Sequence, residues 1–475
     1  MNFQPAEHMS EHIDVLVIGN GFDLAHDLKT SYADFLFLHK YRPIKDILNK
    51  LSDIISEEGI TKFRNLKQSF EQANAFHDQE SLFDLILLSY QTPLPSYQIS
   101  PGKFVCGEPI EFLIKYGSFS CYFDELCKEA IKNEDIEKLL GDIKNEVIEK
   151  FKQEKELNKK TRLDLQKKIS EIKGKLKELE KTTISSDLIW FNFEEEIYKI
   201  IIQCNQRLSE INNTKNTTNG LFNPHNPDIP KRFITSVREF GKEPVIKQLN
   251  KELRALIADF YQHLYKETLG DNIQKLIRKP KFELFLEKKY QTHKLRVLNF
   301  NYTKTFEKLY AEDLKKKGFL FQDNHIIHIH GFIDESISNI TYVEDMDKMN
   351  FVLGTQSFID KNNIHPDFCI FTKDCQRHHY KTIKGYETLL KELNDLQKGS
   401  VTFHFIGHSL NNIDHEVLKP MLCIQNTAVR NSSINVYCHD EKSEEDLKNN
   451  MTNMIGKEEM ARVTFKKCGD ILQRI

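Results

Sequence analysis

The chain has 475 residues, a formal net charge of −3 and a pI near 6.7. This length predicts two or three domains, and the near-neutral charge disfavours nucleic acid as a partner. No run approaches the roughly 18 apolar residues of a membrane helix, and the N-terminus lacks the apolar core of a secretory signal, so no membrane association is expected. The nine scattered cysteines are typical of reduced thiols in a cytoplasmic protein.

The most informative motif begins at residue 13. An apolar run over residues 13–18 predicts a buried strand, and two glycines one residue apart follow it, ahead of a helix-compatible stretch. This layout brings a phosphate against backbone N–H groups. Leu24 stands where a full dinucleotide fingerprint has a third glycine, which leaves a tight turn without a ligand as the alternative. The residues predicted to bind a nucleotide here are Gly19, Asn20, Gly21, Phe22 and Asp23.

Five further segments predict strands that stop at small or polar residues: 296–300, 325–330, 351–353, 403–406 and 434–437. Ligands of an open parallel sheet sit at the carboxyl ends of its strands, so these ends predict one site assembled from distant parts. Asp414 has two interpretations, as an acceptor for a ligand hydroxyl or as the cap of a short helix. The predicted site residues here are Asn301, Tyr302, Thr303, His330, Gly354, Thr355, Gly407, Ser409 and Asp414.

These residues carry a family resemblance. The segments GNGFDLAH, TSYADF, FNYT, IHIHG, LGT and GHSLNNID, in this order between about residues 13 and 440, resemble the AbiH family of bacterial phage-abortive-infection proteins. More distantly, the loops are similar to those of sirtuin-like domains, several of which destroy NAD. The resemblance implies an α/β fold with a Rossmann-like (sirtuin-like), mostly parallel sheet and a large helical insertion. It also implies NAD as substrate or ligand.

The chain departs from the sirtuin pattern at several positions. Asn20 replaces an Ala, Asp23 a Ser, Thr303 an Asp and Gln356 a Ser. No two cysteines have the Cys-x-x-Cys spacing of the sirtuin zinc ribbon, so protein deacylation is not expected. His328 and His330 would share a strand face, but the neighbouring acids match no standard ligand spacing, and no metal is expected.

Cleavage of the nicotinamide–ribose bond passes through an oxocarbenium-like state and needs a positioned nucleophile. By resemblance, His330 is the base that takes the proton from this nucleophile, and Asn301 orients ribose and water. A Trp-then-Glu segment shared with AbiH-like chains brings Glu194 towards the site. Lys373, Arg377 and Lys381 are interpreted as a small surface patch.

The middle of the chain is rich in Lys and Glu. Leucines and isoleucines from Leu165 to Leu179 form an a/d seam, which predicts a coiled-coil-like hairpin at 125–181. The hairpin either joins two copies as a homo-oligomer or faces solvent. The predicted domains are a nucleotide-binding domain at 13–40 and 290–475 and a helical insertion at 41–289.

The leading hypothesis is therefore a cytoplasmic antiviral effector that binds NAD or a related nucleotide and hydrolyses it after an unknown phage trigger. One alternative is a non-catalytic nucleotide sensor that signals to a partner. The other is a nuclease-type effector, which would require acidic metal ligands and a basic groove.

Overall fold

A computed structural model describes residues 11–32, 159–183, 243–269, 276–290, 294–317, 322–334, 350–356, 366–396 and 399–472, with short stretches between them. The chain divides into two compact units. The first comprises Met1–Ser31, Cys106–Phe119 and Asn192–Ile475, and the second Tyr32–Val105 and Ser120–Phe191. The domain boundaries inferred above, at residues 40 and 290, stay a prediction.

The first unit contains a parallel sheet. Its six described strands follow the order β3-β2-β1-β4-β5-β6, and every neighbouring pair is parallel. This is the strand order of dinucleotide-binding folds, in which the order reverses between β1 and β4. The expected Rossmann-like α/β fold is therefore confirmed. The strands are β1 Glu11–Ile18, β2 Lys294–Asn299, β3 Ile326–His328, β4 Gly399–Ile406, β5 Ser433–Cys438 and β6 Val463–Lys467.

Helices connect the strands, and local sequence signals explain several of their ends. Pro280 opens its helix at a position where no backbone donor is needed, and Asp440 and Ser443 form a reciprocal capping box. The described α-helices are α1 Asn20–Ala25, α2 Lys159–Thr183, α3 Glu243–Leu269, α4 Pro280–Tyr290, α5 Glu312–Lys316, α6 Lys373–Tyr380, α7 Ile383–Asp395, α8 His415–Leu422, α9 Thr427–Arg430, α10 Glu441–Ile455 and α11 Gly469–Leu472. None of these helices is both long and apolar enough to cross a membrane.

The two faces of the sheet are covered by separate apolar cores. Val15 and Val17 of β1 belong to one core, and Leu16 and Ile18 belong to the other. This division follows from the period-two alternation of side chains along a strand. Because both faces are covered, β1 is buried from Ile13 to Ile18 and looks continuously apolar apart from Asp14, as expected of a parallel strand between helix layers.

The strand predictions differ from the structure in three places. Residues 351–353 form only an isolated bridge, from Phe351 to Gly331, so the strand predicted there is wrong. The segment predicted at 325–330 is a strand only over Ile326–His328. Strand β6 was not predicted, because it lies at the edge of the sheet, half exposed, and its sequence ends in two lysines.

In the second unit, α2 carries the predicted apolar seam. Leu165, Ile169, Ile172 and Leu176 are each at most 2% exposed. The chain itself therefore covers this part of the seam. The first arm of the predicted hairpin lies almost entirely outside the described residues, and association of two copies through this segment stays a prediction.

Two glycine loops meet where the strand order reverses. The N–H of Gly19 donates to the carbonyl of Ile406 at 3.0 Å, and the N–H of Gly21 donates to the carbonyl of Gly407 at 2.8 Å. A Cβ on Gly21 would lie 2.7 Å from the Cα of Gly407. These glycines are thus needed so that the loops after β1 and β4 can contact each other.

We expect Gly407→Ala to destabilise the fold. Gly407 has φ +64°, and an added Cβ would lie 2.3 Å from the backbone nitrogen of Phe22. The backbone conformation alone would cost about 1–3 kcal/mol, and the overlap adds to this. Gly469→Ala is the control, since nothing lies within 4 Å of its added Cβ. Urea unfolding followed by circular dichroism measures both, and equal stability of the two variants would contradict the assigned contact.

Candidate functional site

The loops that follow β1 and β2 are joined at Asp23. The Thr303 hydroxyl donates to Asp23 Oδ2 at 2.6 Å, and the Thr305 hydroxyl donates to Thr303 Oγ1 at 3.0 Å. Burial raises the pKa of Asp23 to about 7, against the opposing effect of hydrogen bonds from Thr303, Thr305 and Asn301. Three of the predicted site residues, Asp23, Asn301 and Thr303, therefore form one buried cluster.

His330 lies just after β3 and is buried. Its Nδ1 donates to the carbonyl of Phe300 at 3.1 Å, so in the neutral ring Nε2 carries the lone pair. Nε2 makes no hydrogen bond within the described structure, although it lies 3.3 Å from Asp414 Oδ1. Burial, together with the charge of Lys373, lowers the pKa of His330 to about 4. The ring is thus neutral at pH 7 and presents a proton acceptor.

His408, in the loop after β4, is the opposite tautomer. The N–H of Leu410 donates to its Nδ1 at 2.9 Å, so the ring proton is on Nε2, which faces Asp414 Oδ2 at 3.5 Å. Burial lowers the pKa of His408 to about 4. A second proton would have to go on Nδ1, against the N–H of Leu410, which also opposes protonation.

Asp414 is held between these rings by a buried cation. Lys373 Nζ lies 3.0 Å from Asp414 Oδ1 and 2.8 Å from Glu194 Oε1. Burial by itself would raise the pKa of Asp414, but the positive charge of Lys373 holds it well below its usual value. Although Asp414 occupies the N-cap position of α8, its side chain makes no capping bond. The helix-cap interpretation of this side chain is therefore wrong.

The segment that contains Gly354 and Thr355 runs beside the start of α6. The N–H of Thr355 donates to the carbonyl of Phe371, and the N–H of Lys373 donates to the carbonyl of Thr355, each at 2.8 Å. A Cβ on Gly354 would lie 2.4 Å from the Phe371 carbonyl oxygen. The structure therefore brings Gly354 and Thr355 next to the backbone that carries Lys373.

The other predicted binding residues are spread around these clusters. The Tyr302 hydroxyl donates to the carbonyl of Val352 at 2.8 Å, and the Tyr302 ring lies 5.7 Å from the His330 ring. Phe22 is fully buried between aromatic rings of the core. Asn20 and Ser409 are exposed.

The N–H groups of Gly19 and Gly21 already donate to backbone carbonyls, so a phosphate at this loop would need other donors. Nucleotide binding by all these residues stays a prediction.

Sequence reasoning missed the roles of Lys373 and His408. Lys373 and Arg377 were interpreted as part of a surface patch, which is wrong, because each side chain is only 1% exposed. They lie one turn apart on the same face of α6. In the sequence, the four-residue spacing of these two cations, which begins two residues after the apolar Phe371, was the available signal that they share one helix face. Glu194, expected to face the site, does contact Lys373.

The start of α6 is also fixed covalently. Cys369 and Cys375 form a disulfide, so the expectation of reduced thiols is wrong for this pair. Between them, the Thr372 hydroxyl donates to the carbonyl of Cys369 at 2.8 Å and accepts from the N–H of Cys375 at 3.3 Å. The bridge therefore encloses the turn from which the Lys373 side chain leaves the backbone.

These observations define the class of protein. It is an α/β protein with a buried charged cluster at the carboxyl edge of a parallel sheet. A family model described as "Bacteriophage abortive infection AbiH" matches the chain over two overlapping stretches, residues 15–222 and 170–437. The protein belongs to this family, which implies a role in defence against bacteriophage by abortive infection. Comparisons with curated proteins and with solved structures gave no match. The likeness to sirtuin-like domains stays a prediction.

We expect Lys373→Met to destabilise the protein strongly. The substitution leaves the carboxylates of Asp414 and Glu194 buried without their cation, and breaking such a buried pair typically costs about 3–5 kcal/mol. Lys384→Met, at an exposed position of α7, is the control and should stay within about 0.5 kcal/mol of the wild type. Chemical unfolding of the three proteins measures the difference. A Lys373→Met protein as stable as the control would show that the ion pair does not hold the site together.

His408 should make stability depend on pH. The unfolded chain binds a proton here below about pH 6.5, whereas the folded chain does so only below about pH 4. Between these values the unfolded state binds more protons, so the free energy of unfolding falls as the pH falls. His408→Asn keeps an acceptor for the N–H of Leu410 but cannot titrate.

The slope of the unfolding free energy against pH, measured between pH 4.5 and 6.5, should be up to about 1.4 kcal/mol per pH unit smaller in His408→Asn. His379→Asn, at an exposed position, should keep the wild-type slope. An unchanged slope in His408→Asn would show that its ring titrates alike in the folded and unfolded chains.

Proposed function

We propose that this protein is an abortive-infection effector that binds NAD, or a related nucleotide, and hydrolyses the bond between nicotinamide and ribose. The observation that carries the proposal is the His330 ring. It is buried and neutral, it has an Nε2 lone pair without a hydrogen bond among the described residues, and it lies at the carboxyl edge of the sheet. That edge is where open α/β sheets bind their ligands.

The reaction adds water across the glycosidic bond. The bond electrons leave with nicotinamide, which becomes neutral, and water adds to the anomeric carbon of ribose. The water gives up a proton, which His330 Nε2 accepts and later releases to solvent. The products are nicotinamide, ADP-ribose and this proton. Asn301 carries an amide suited to orienting the water and the ribose, and its buried position near Asp23 supports that role.

The low pKa of His330 bears on how the reaction would start. An imidazole with a pKa of about 4 is a weak base in the ligand-free protein. A bound nucleotide brings negatively charged phosphates, and a nearby anion raises the pKa of a histidine. In this proposal the substrate itself therefore makes His330 a better base.

A non-catalytic nucleotide sensor is the second candidate. The observation that favours it is the same weak basicity of His330, together with the glycine-loop N–H groups that are already used by the protein. Such a protein would bind the nucleotide without releasing nicotinamide.

We expect His330→Ala to reduce nicotinamide release from NAD by about 10²- to 10⁴-fold, because it removes the proton acceptor. Asn301→Ala should reduce the rate more than the affinity, since it misplaces the nucleophile. Exposed residues of the same types supply the controls His379→Ala and Asn449→Ala. Nicotinamide release is followed chromatographically with purified protein.

Because the proposed reaction starts with a phage trigger, cellular NAD is measured in infected cells as well. Cells that keep normal NAD while they still block phage, with His330→Ala blocking phage equally well, would exclude the hydrolase. Nucleotide binding without nicotinamide release, combined with normal NAD in infected cells, would favour the sensor.

A further inference from the structure

Arg377 presents charged hydrogen-bond donors that the described structure leaves unused. Its side chain is 1% exposed, and within the part of the chain that the structure describes its ionic contact is between Nη1 and Glu416 Oε2, at 3.7 Å. Nε and Nη2 are buried and have no hydrogen-bond partner among the described residues. A guanidinium stays charged at any physiological pH, and a buried donor without a partner costs free energy, so an acceptor bound at this edge would stabilise it.

The two unused groups form one edge of the guanidinium. Nε–H and one N–H of Nη2 point the same way and can hold two oxygens of a carboxylate or phosphate at once. Arg296 shows this geometry elsewhere in the chain. Its Nε donates to Glu392 Oε2 at 2.8 Å, and its Nη2 donates to Glu392 Oε1 at 2.7 Å. The atoms that hold an oxyanion in Arg296 are thus the atoms left unpaired in Arg377.

Arg377 belongs to the same neighbourhood as the charged cluster. It follows Lys373 by one turn on the buried face of α6, and its positive charge acts on the His330 ring. Lys373 is already paired with Asp414 and Glu194. Of these two buried cations, Arg377 is therefore the one whose donors remain available to a ligand.

We propose that the Nε–Nη2 edge of Arg377 binds a phosphate group of the nucleotide, which makes Arg377 the residue that selects a phosphorylated ligand at this site. The inference deepens the proposed function and rests on it for the identity of the ligand. A phosphate offers two oxygens at the spacing that this edge accepts, and its negative charge compensates the buried cation.

The test compares Arg377→Lys, which keeps the charge but removes the two-donor edge, with Arg296→Lys, the same change at the edge that Glu392 occupies. Isothermal titration measures binding of ADP-ribose, inorganic pyrophosphate and adenosine, the last of which has no phosphate. Arg377→Gln is the second variant, and thermal melting of the ligand-free proteins shows which of them are folded.

We expect Arg377→Lys to weaken ADP-ribose and pyrophosphate binding by about 10- to 100-fold, as is typical when hydrogen bonds to a charged group are lost. Arg377→Gln should weaken it at least as much, whereas Arg296→Lys should bind like the wild type. Adenosine binding should be the same in all proteins. Undiminished phosphate binding in a folded Arg377→Lys or Arg377→Gln would overturn the proposal, as would a wild type that binds neither phosphorylated probe.

The outcomes separate this inference from the proposed function. Phosphate binding that depends on Arg377, in a protein that releases no nicotinamide, would support the anion site and reject the hydrolase. Nicotinamide release that is insensitive to Arg377→Lys, with unchanged ADP-ribose affinity, would support the hydrolase and reject the role of Arg377.

Discussion

Lys373 Nζ lies within 3.0 Å of carboxylate oxygens of both Asp414 and Glu194, in surroundings that leave only 1% of the lysine side chain exposed. In water such a pair contributes little, but in a buried position each charge depends on its partners. The contact joins the start of α6, the start of α8 and residue 194. It also keeps Asp414 ionised between the two histidine rings, so the electrostatics of the site depend on this one cation.

The two histidines on either side of Asp414 differ because of their backbone partners. His330 donates through Nδ1 to a carbonyl, whereas His408 accepts through Nδ1 from an N–H. The neutral rings therefore present opposite groups on Nε2, a lone pair in His330 and an N–H in His408. Only the first can accept a proton from a nucleophile, and the second is suited to holding Asp414 in place.

The glycines at the point where the strand order reverses allow two loops of this protein to pack closely against each other. Gly21 and Gly407 bring two loops into backbone contact, and the N–H groups of Gly19 and Gly21 are used within that contact. In dinucleotide-binding folds the glycine-rich turn leaves room for the ligand to approach. In our proposal the donors for a phosphate come instead from Arg377, on the buried face of α6.

The sequence by itself determined the elements whose signals are local. The apolar runs of β1, β2, β4 and β5, the small and polar residues at their ends, and the ordered motifs of the AbiH family could all be predicted, because each depends on neighbours in the chain. Edge strand β6 could not be predicted, because its half-polar sequence becomes a strand only by pairing with β5.

Tertiary structure decided what the charged residues do. The sequence around Lys373 and Arg377 predicts an exposed basic patch, because charged side chains are usually exposed. Their burial depends on carboxylates that come from positions 194, 414 and 416, far away in the chain or on another helix. The tautomers of His330 and His408 likewise depend on the backbone groups that the fold brings to each Nδ1. A local pattern carries no information about such partners, because they come together only when the chain folds.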